Sequence, residues 1–209
     1  MKKNRFKQKS AQLSKKILNT VDVFSLYTLN YKLGIHGREL SKKISGSQRM
    51  ISNKLKFLAG NNILKCEEKG TIKNYYLNLE NPLVFDLMIV AEQFQTVIFL
   101  SSDFKLMDLF GKMRDLTSGG VVVFGSYARG DSGETSDLDV LVLGNYDKKK
   151  MKDLTNLYPI KVHIMQMSKK IFERGLFNKE NFMLEVLRDH IVVKGTSELV
   201  DLFWRYYNG

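Results

Sequence analysis

Residues 121–143 read VVVFGSYARGDSGETSDLDVLVL, and this stretch decides the fold of the second half of the chain. Val121 to Phe124 form an apolar run that is typical of a strand buried on both faces. Gly125-Ser126 then make a turn, at which glycine allows a close approach of the backbone. Asp137-Leu138-Asp139 lead into a second apolar run, and residues two apart in a strand share one face. The sequence therefore predicts two strands, with a turn after the first and paired carboxylates at the start of the second.

The turn and the carboxylate pair suit two parts of one substrate. A helix expected from Tyr127 offers its first backbone N–H groups to a phosphate, and Ser126 adds a hydroxyl donor. Asp137 and Asp139 repel each other unless a cation lies between them, and Mg²⁺ favours carboxylate and phosphate oxygens. We therefore expect a site for a metal-bound nucleoside triphosphate and transfer of a nucleotidyl or phosphoryl group.

The whole pattern is more specific than its parts, because a lone Asp-x-Asp pair is most often a solvated strand end. Gly125-Ser126, ten residues and then Asp137-Leu138-Asp139 resemble the motif of the DNA polymerase β-like nucleotidyltransferases, in particular the small minimal type. Arg129 and Gly130 fit positions often seen in that motif, which makes Gly125, Ser126 and Arg129 the implied nucleotide-binding residues.

The resemblance covers about residues 118–200 and implies a small mixed sheet backed by helices. It implies two Mg²⁺ (or Mn²⁺) ions at Asp137 and Asp139, and transfer of NMP from an NTP, with ATP expected, to a hydroxyl group. The acceptor is left open: a protein, a small molecule or a nucleic acid.

One strand departs from the pattern of the family, whose active members commonly place a third carboxylate there. The corresponding stretch here, Lys161 to Gln166, contains no Asp or Glu. Val162 and Ile164 should face the core, which leaves His163 toward the site as a catalytic candidate, because histidine can act as a base near neutral pH. An ordinary exposed histidine is the alternative, and so is a domain that binds nucleotide without efficient turnover.

The first eighty residues have the pattern of a small helical domain with a hairpin. Helices are expected over Leu13 to Leu29, Gly37 to Ile44, and from an N-cap at Ser47 to Ala59. Strands are expected over Ile63 to Cys66 and Ile72 to Leu77.

This order resembles the winged helix-turn-helix domains of prokaryotic regulators, in which the helix after the turn enters the major groove of DNA. The resemblance implies DNA contacts by Gln48, Arg49, Ser52, Asn53, Lys54, Lys56, Lys69 and Lys73. A protein-docking role is the alternative.

The charge distribution agrees with a partner for the first eighty residues. They carry 17 of the 33 basic residues and 5 of the 22 acidic ones, a net charge of +12, whereas the rest of the chain has −1. Such an asymmetry is typical of a nucleic-acid-binding module joined to a neutral one. The single cysteine, Cys66, excludes an internal disulfide. No uninterrupted apolar run has the length of a membrane span, so we expect a cytoplasmic protein without a membrane partner.

Asn81-Pro82 marks a boundary, and the apolar pattern from Val84 to Met113 is helical; residues 101–103 could split it into two helices, with Ser102 or Asp103 as the cap of the second. Its apolar side chains suit a core between domains or a homodimer seam. We therefore expect an α+β chain: a winged helix over residues 1–80, a helical linker over 81–117 and a nucleotidyltransferase-like domain over 118–209. The first functional hypothesis is Mg²⁺-dependent NMP transfer coupled to DNA binding. The second is a DNA-binding regulator whose transferase-like domain only senses a nucleotide or mediates assembly.

Overall fold

The structure is a computed structural model that describes residues 16–17, 19–44, 46–133 and 135–209. Its described part is a mixture of helices with two small sheets, so the predicted α+β class is confirmed. The chain divides into two compact units after Ala91.

The first unit consists of short helices and a three-stranded antiparallel sheet with the strand order β1-β3-β2. The hairpin of β2 and β3 turns at Gly70, which has φ 62°. The third strand, β1, contains two residues and was not predicted; Ile35 pairs with Tyr75 of β3. The elements are α1 (Val21–Phe24), β1 (Ile35–His36), α2 (Gly37–Lys43), α3 (Gln48–Gly60), β2 (Leu64–Lys69) and β3 (Ile72–Leu77).

The single helix predicted over Leu13 to Leu29 is wrong within the described residues, and its first part lies outside them. A turn at Asn19 and Thr20 precedes the one-turn α1, and turns follow from Ser25. The hydroxyls of Thr20 and Ser25 donate to the carbonyls of Ile17 (2.6 Å) and Val21 (3.1 Å). Side-chain hydroxyls that bind nearby backbone carbonyls compete with a continuous helix, which accounts for the shorter element.

Helix α3 begins and packs as predicted. Ser47 caps it: its hydroxyl accepts from the Met50 N–H at 3.2 Å. Ile51, Leu55 and Leu58 form a fully buried stripe, which leaves the polar residues of the helix on its other faces.

Two helices follow, α4 (Pro82–Ser102) and α5 (Phe104–Leu116). The predicted break lies at Asp103, whose carboxylate accepts from the Lys105 N–H at 2.8 Å and caps α5. Helix α4 is long and apolar enough to cross a membrane by length and composition, and a third of its most apolar window is buried. Core helices of soluble proteins can also have this length and this apolar composition.

Polar side chains attach the second half of α4 to the second unit. The Thr96 hydroxyl donates to the Val192 carbonyl at 2.7 Å, and the Gln93 amide donates to the Thr196 hydroxyl. Glu92 is buried against His190. These contacts are typical of a helix that belongs to a globular domain, since polar groups in hydrocarbon are costly.

The second unit is built on a four-stranded mixed sheet with the order β6-β5-β4-β7. Strand β5 is parallel to β6, and β4 is antiparallel to both β5 and β7. The ends of β4 and the starts of β5, β6 and β7 therefore meet at one edge. The remaining elements are β4 (Gly120–Phe124), α6 (Ser126–Arg129), β5 (Leu138–Leu143), α7 (Lys148–Thr155), β6 (Val162–Met167), α8 (Lys169–Phe177), α9 (Asn181–Arg188), β7 (His190–Lys194) and α10 (Thr196–Asn208).

Helices α5 and α7 cover one face of this sheet, and α10 contacts β4 and β7. Every residue of β4 is buried, which fits its continuous apolar sequence. The core on the α5 side consists of Leu106, Leu109, Phe110, Met113, Val121, Val123, Leu138, Val140, Val142, Met151, Leu154 and Val193. A rigid sheet of this kind fixes the polar residues at its edge.

Candidate functional site

The turn after β4 lies directly against the second carboxylate of the Asp pair. Gly125 has φ 72°, a backbone conformation that favours glycine. A Cβ atom at this position would lie 2.9 Å from Oδ2 of Asp139, so a larger residue would push the carboxylate away. Glycine at 125 is therefore needed both for the turn and for the position of Asp139.

The helix after the turn is shorter than the sequence suggested. Helix α6 has four residues and ends at Gly130, which has φ 76°. One helical turn adds little dipole. What Ser126, beside Gly125, could provide for a phosphate is therefore its hydroxyl and nearby backbone N–H groups, rather than the dipole of a long helix.

Asp137 contacts Lys161, which immediately precedes β6, and Asp139 contacts His163 on that strand. Oδ2 of Asp137 accepts from Nζ of Lys161 at 2.6 Å, and Oδ1 of Asp139 lies 3.2 Å from Nδ1 of His163. The strand register causes this arrangement, because Asp139 pairs with His163 and the Leu138 N–H donates to the Lys161 carbonyl at 2.8 Å. The structure therefore brings two acid–base pairs side by side at the sheet edge.

His163 has the orientation that its sequence predicted. Val162 and Ile164 pack against the core, whereas the His163 side chain is 63% exposed and touches Asp139. No carboxylate lies on β6. Lys161 was not singled out from the sequence, although its place two residues before His163 puts it on the same side of an extended chain.

The donor set suits a hard divalent cation that substrate phosphates help to hold. Within the described ranges, no group of three or more His, Cys, Asp or Glu side chains is close enough to hold a metal ion. The two carboxylates still fit Mg²⁺, which commonly uses one or two carboxylates plus phosphate oxygens. Gly125, which has no side chain, leaves room beside the carboxylate of Asp139. Asp137 and Asp139 are the residues that could bind it.

Arg129 lies at the far end of α6 and is already paired. Its guanidinium donates to Asp131 at 3.1 Å and lies 3.5 Å from Asp189. The hydrogen bond to Asp131 is the main cause that raises the pKa of Arg129 above its ordinary value. Arg129 also borders a groove of about 470 Å³ on the side of Ile98, Phe99 and Tyr127.

A buried ion pair lies behind the turn. His190 of β7 is in register with Phe124, and its Nε2 is 3.3 Å from Oε1 of Glu92. Burial lowers the pKa of His190, but the charge of Glu92 and hydrogen bonds to Glu92, Leu187 and Val186 outweigh it, so the pKa is raised. The sequence signal for this pair was a lone glutamate within the apolar run of α4.

The residues predicted to contact DNA fall on different parts of the first unit. Gln48, Ser52 and Lys73 line a cleft of about 190 Å³ that also contains His36, Arg38 and Thr71, which were not predicted. The rest of the set lies elsewhere: Asn53 and Lys54 line a second groove, and Arg49, Lys56 and Lys69 are exposed.

Two of these lysines have carboxylate partners. Lys54 contacts Asp22 at 2.5 Å and is only 17% exposed, and Lys73 contacts Glu68 at 2.5 Å. The bond to Glu68 is the main cause that raises the pKa of Lys73.

Comparison with known proteins agrees with the geometry of the second unit. Residues 106–191 match the family model of the nucleotidyltransferase domain. A protein of Methanocaldococcus jannaschii, provisionally named a protein adenylyltransferase, is 37% identical over 60 residues. That match covers 29% of this chain and 59% of the relative, so the chain spans about three fifths of the relative's length. No solved structure gives a significant match. These similarities support the nucleotidyltransferase superfamily for this part of the chain.

Proposed function

We propose that this protein is a nucleotidyltransferase that transfers NMP from an NTP, with ATP as the expected donor, to a hydroxyl group. One observation carries the proposal: the turn at Gly125-Ser126 lies against the carboxylate of Asp139, and Asp137 stands two residues before Asp139 at the same edge of the sheet. The match of residues 106–191 to the nucleotidyltransferase domain supports it.

The roles follow from the positions of the side chains. Ser126 and the backbone at Gly125 bind the triphosphate, with Arg129 at the border of the site. Asp137 and Asp139 would hold Mg²⁺ or Mn²⁺, which would supply positive charge to offset that of the triphosphate. Because β6 offers no carboxylate, His163 is the candidate proton acceptor, and its contact with Asp139 orients the ring.

The transfer step is a nucleophilic substitution at the α-phosphorus of the NTP. The acceptor oxygen forms a bond to the α-phosphorus, and the bond from this phosphorus to the bridging oxygen of the β-phosphate breaks. Pyrophosphate leaves with the electron pair, and the hydroxyl proton passes to His163 and then to solvent. A protein acceptor is supported by the name of the relative, and a small-molecule acceptor is the second class to test.

Labelled-NTP transfer with Mg²⁺ or Mn²⁺ tests the proposal. The double variant Asp137→Asn/Asp139→Asn should lose transfer to protein and small-molecule acceptors. Asp153→Asn changes an exposed aspartate of α7 and is the matched control. The enzyme hypothesis is wrong if the wild type and the double variant are equally inactive with every acceptor class.

We also propose that the first unit is a winged helix that binds DNA, with α3 as the helix that enters the groove. The net charge of +12 on residues 1–80 supports this, as do the exposed side chains of Arg49, Lys56 and Lys69. Binding should weaken steeply with salt if several phosphates are contacted. Absent or salt-independent binding would favour docking of a protein instead.

A second candidate function is a DNA-binding regulator whose second unit senses a nucleotide without efficient turnover. The observation that favours it is the absence of a carboxylate on β6; Lys161, just before this strand, and His163 on it contact the Asp pair instead. NTP binding without transfer, in the presence of specific DNA binding, would support this alternative.

The exposed apolar side chains of α4 and α5 suit a homodimer through the helical linker. Val97, Ile98 and Phe104 are more than half exposed, and Phe94 and Met107 are exposed to a lesser extent. A concentration-dependent mass in sedimentation would test this. The single exposed Cys66 agrees with a cytoplasmic protein.

A further inference from the structure

Lys161 is the most exposed member of the two acid–base pairs at the sheet edge. Its side chain is 79% exposed, whereas that of its partner Asp137 is 39% exposed. The backbone is fixed, because the Lys161 carbonyl accepts from Leu138 N–H. The Lys161 ammonium group can therefore move on its flexible four-carbon side chain while the backbone stays in place.

The ion pair between Lys161 and Asp137 is easily broken, so that either side chain can bind another charged group. Exposed ion pairs contribute little to stability, because solvent screens them and two side chains must be ordered. A divalent cation that binds Asp137 competes with the ammonium for the same carboxylate, and the repulsion between the two cations favours release of the lysine. The released charge then lies at the edge where the Gly125-Ser126 turn would hold a triphosphate.

We propose that Lys161 is a triphosphate-binding residue that is a counter-ion of Asp137 in the free protein and moves to the phosphates when a cation binds. This proposal rests on the proposed nucleotide site. It assigns a role to the residue that immediately precedes β6, the strand on which a further carboxylate is lacking: this segment contributes positive charge toward the phosphates instead of a third metal ligand. The ligand class is a nucleoside triphosphate, recognised through its phosphates.

The proposal predicts two effects of opposite sign for Lys161→Ala. Without the competing ammonium, Mn²⁺ should bind the free protein more tightly, by about twofold to fivefold for an exposed pair. A non-hydrolysable ATP analogue with Mg²⁺ should bind more weakly, by about tenfold or more, because a charged hydrogen bond to phosphate is lost. A residue with only a structural role would not shift the two affinities in opposite directions.

Titration calorimetry with Mn²⁺ alone and with the analogue measures both effects. Lys161→Arg should retain most of the affinity for the analogue. Lys169→Ala is the matched control, because Lys169 has one exposed ion pair, with Glu198 at 3.6 Å, and lies outside the site. Unchanged or weaker Mn²⁺ binding in Lys161→Ala, or unchanged binding of the analogue, would overturn the proposal.

The outcome separates this proposal from the proposed transferase activity. Opposite shifts in a protein that transfers nothing would support the role of Lys161 and disprove the enzyme. Transfer that depends on Asp137 and Asp139 but is unaffected by Lys161→Ala would support the enzyme and disprove the role of Lys161. A wild type that binds neither Mn²⁺ nor the analogue would disprove both.

Discussion

Breaking the buried pair of Glu92 and His190 should strongly destabilise the second unit. Their side chains are 1% and 0% exposed, and Oε2 of Glu92 has no hydrogen-bond partner among the described residues. Removing the charge of one partner leaves the other buried without compensation. We expect Glu92→Gln to lower the free energy of unfolding at pH 6 by about 3–5 kcal/mol, the usual cost of breaking a buried pair.

The pH dependence gives a second readout. The pKa of His190 is raised in the folded state above its ordinary value of 6.5, so the folded state binds more protons than the unfolded chain. Its contribution to stability is therefore fully present below pH 6.5 and is lost as the pH rises through the folded pKa. The wild type should lose this contribution on going from pH 6 to higher pH, whereas Glu92→Gln should not.

Urea unfolding followed by the fluorescence of Trp204, the single tryptophan, measures both effects in the second unit. Glu198→Gln is the control: Glu198 is 63% exposed in its pair with Lys169, and its loss should cost less than about 1 kcal/mol. The reasoning is refuted if Glu92→Gln costs as little as Glu198→Gln at pH 6, or if both proteins keep the same slope with pH.

Three further perturbations test other parts of the structure. Gly125→Ala should destabilise the fold by about 1–3 kcal/mol and weaken Mn²⁺ binding in calorimetry, because the Cβ meets Asp139 in a left-handed turn; wild-type affinity would contradict it. Asp103→Ala should cost about 1 kcal/mol in urea unfolding through loss of the α5 cap, and Asp103→Asn should cost less. Arg49→Ala should reduce the salt slope of DNA binding by about one, as for one phosphate contact, while Lys152→Ala on α7 should leave it unchanged.

Features that depend on neighbouring residues could be predicted from the sequence. Ser47 and Asp103 cap helices because a short polar side chain reaches an N–H two or three residues later. The all-buried β4 followed from an uninterrupted apolar run, and alternation along β6 turned His163 outward. In each case the local period or cap chemistry decides the conformation.

Features that depend on pairing between distant segments could not be predicted. The two-residue β1 exists only because Ile35 meets Tyr75 on β3, and nothing in a stretch of two residues indicates a strand. The predicted helix over Leu13 to Leu29 counted apolar spacing but ignored the hydroxyls of Thr20 and Ser25, which bind the backbone. Lys161 precedes β6, so only the parallel register with β5 places it beside Asp137.

The charge at the sheet edge bears on whether the lack of a third carboxylate implies inactivity. A third carboxylate would add negative charge that attracts metal in the absence of nucleotide. Here Lys161, just before β6, and His163 on it stand opposite the Asp pair instead, so each of the two carboxylates already has a partner. Such a site favours metal less and triphosphate more, since the ammonium group of Lys161 repels a free cation but attracts phosphates. If Lys161 binds phosphate as proposed, metal and nucleotide should therefore bind cooperatively, and weak binding of metal alone would not be evidence against catalysis.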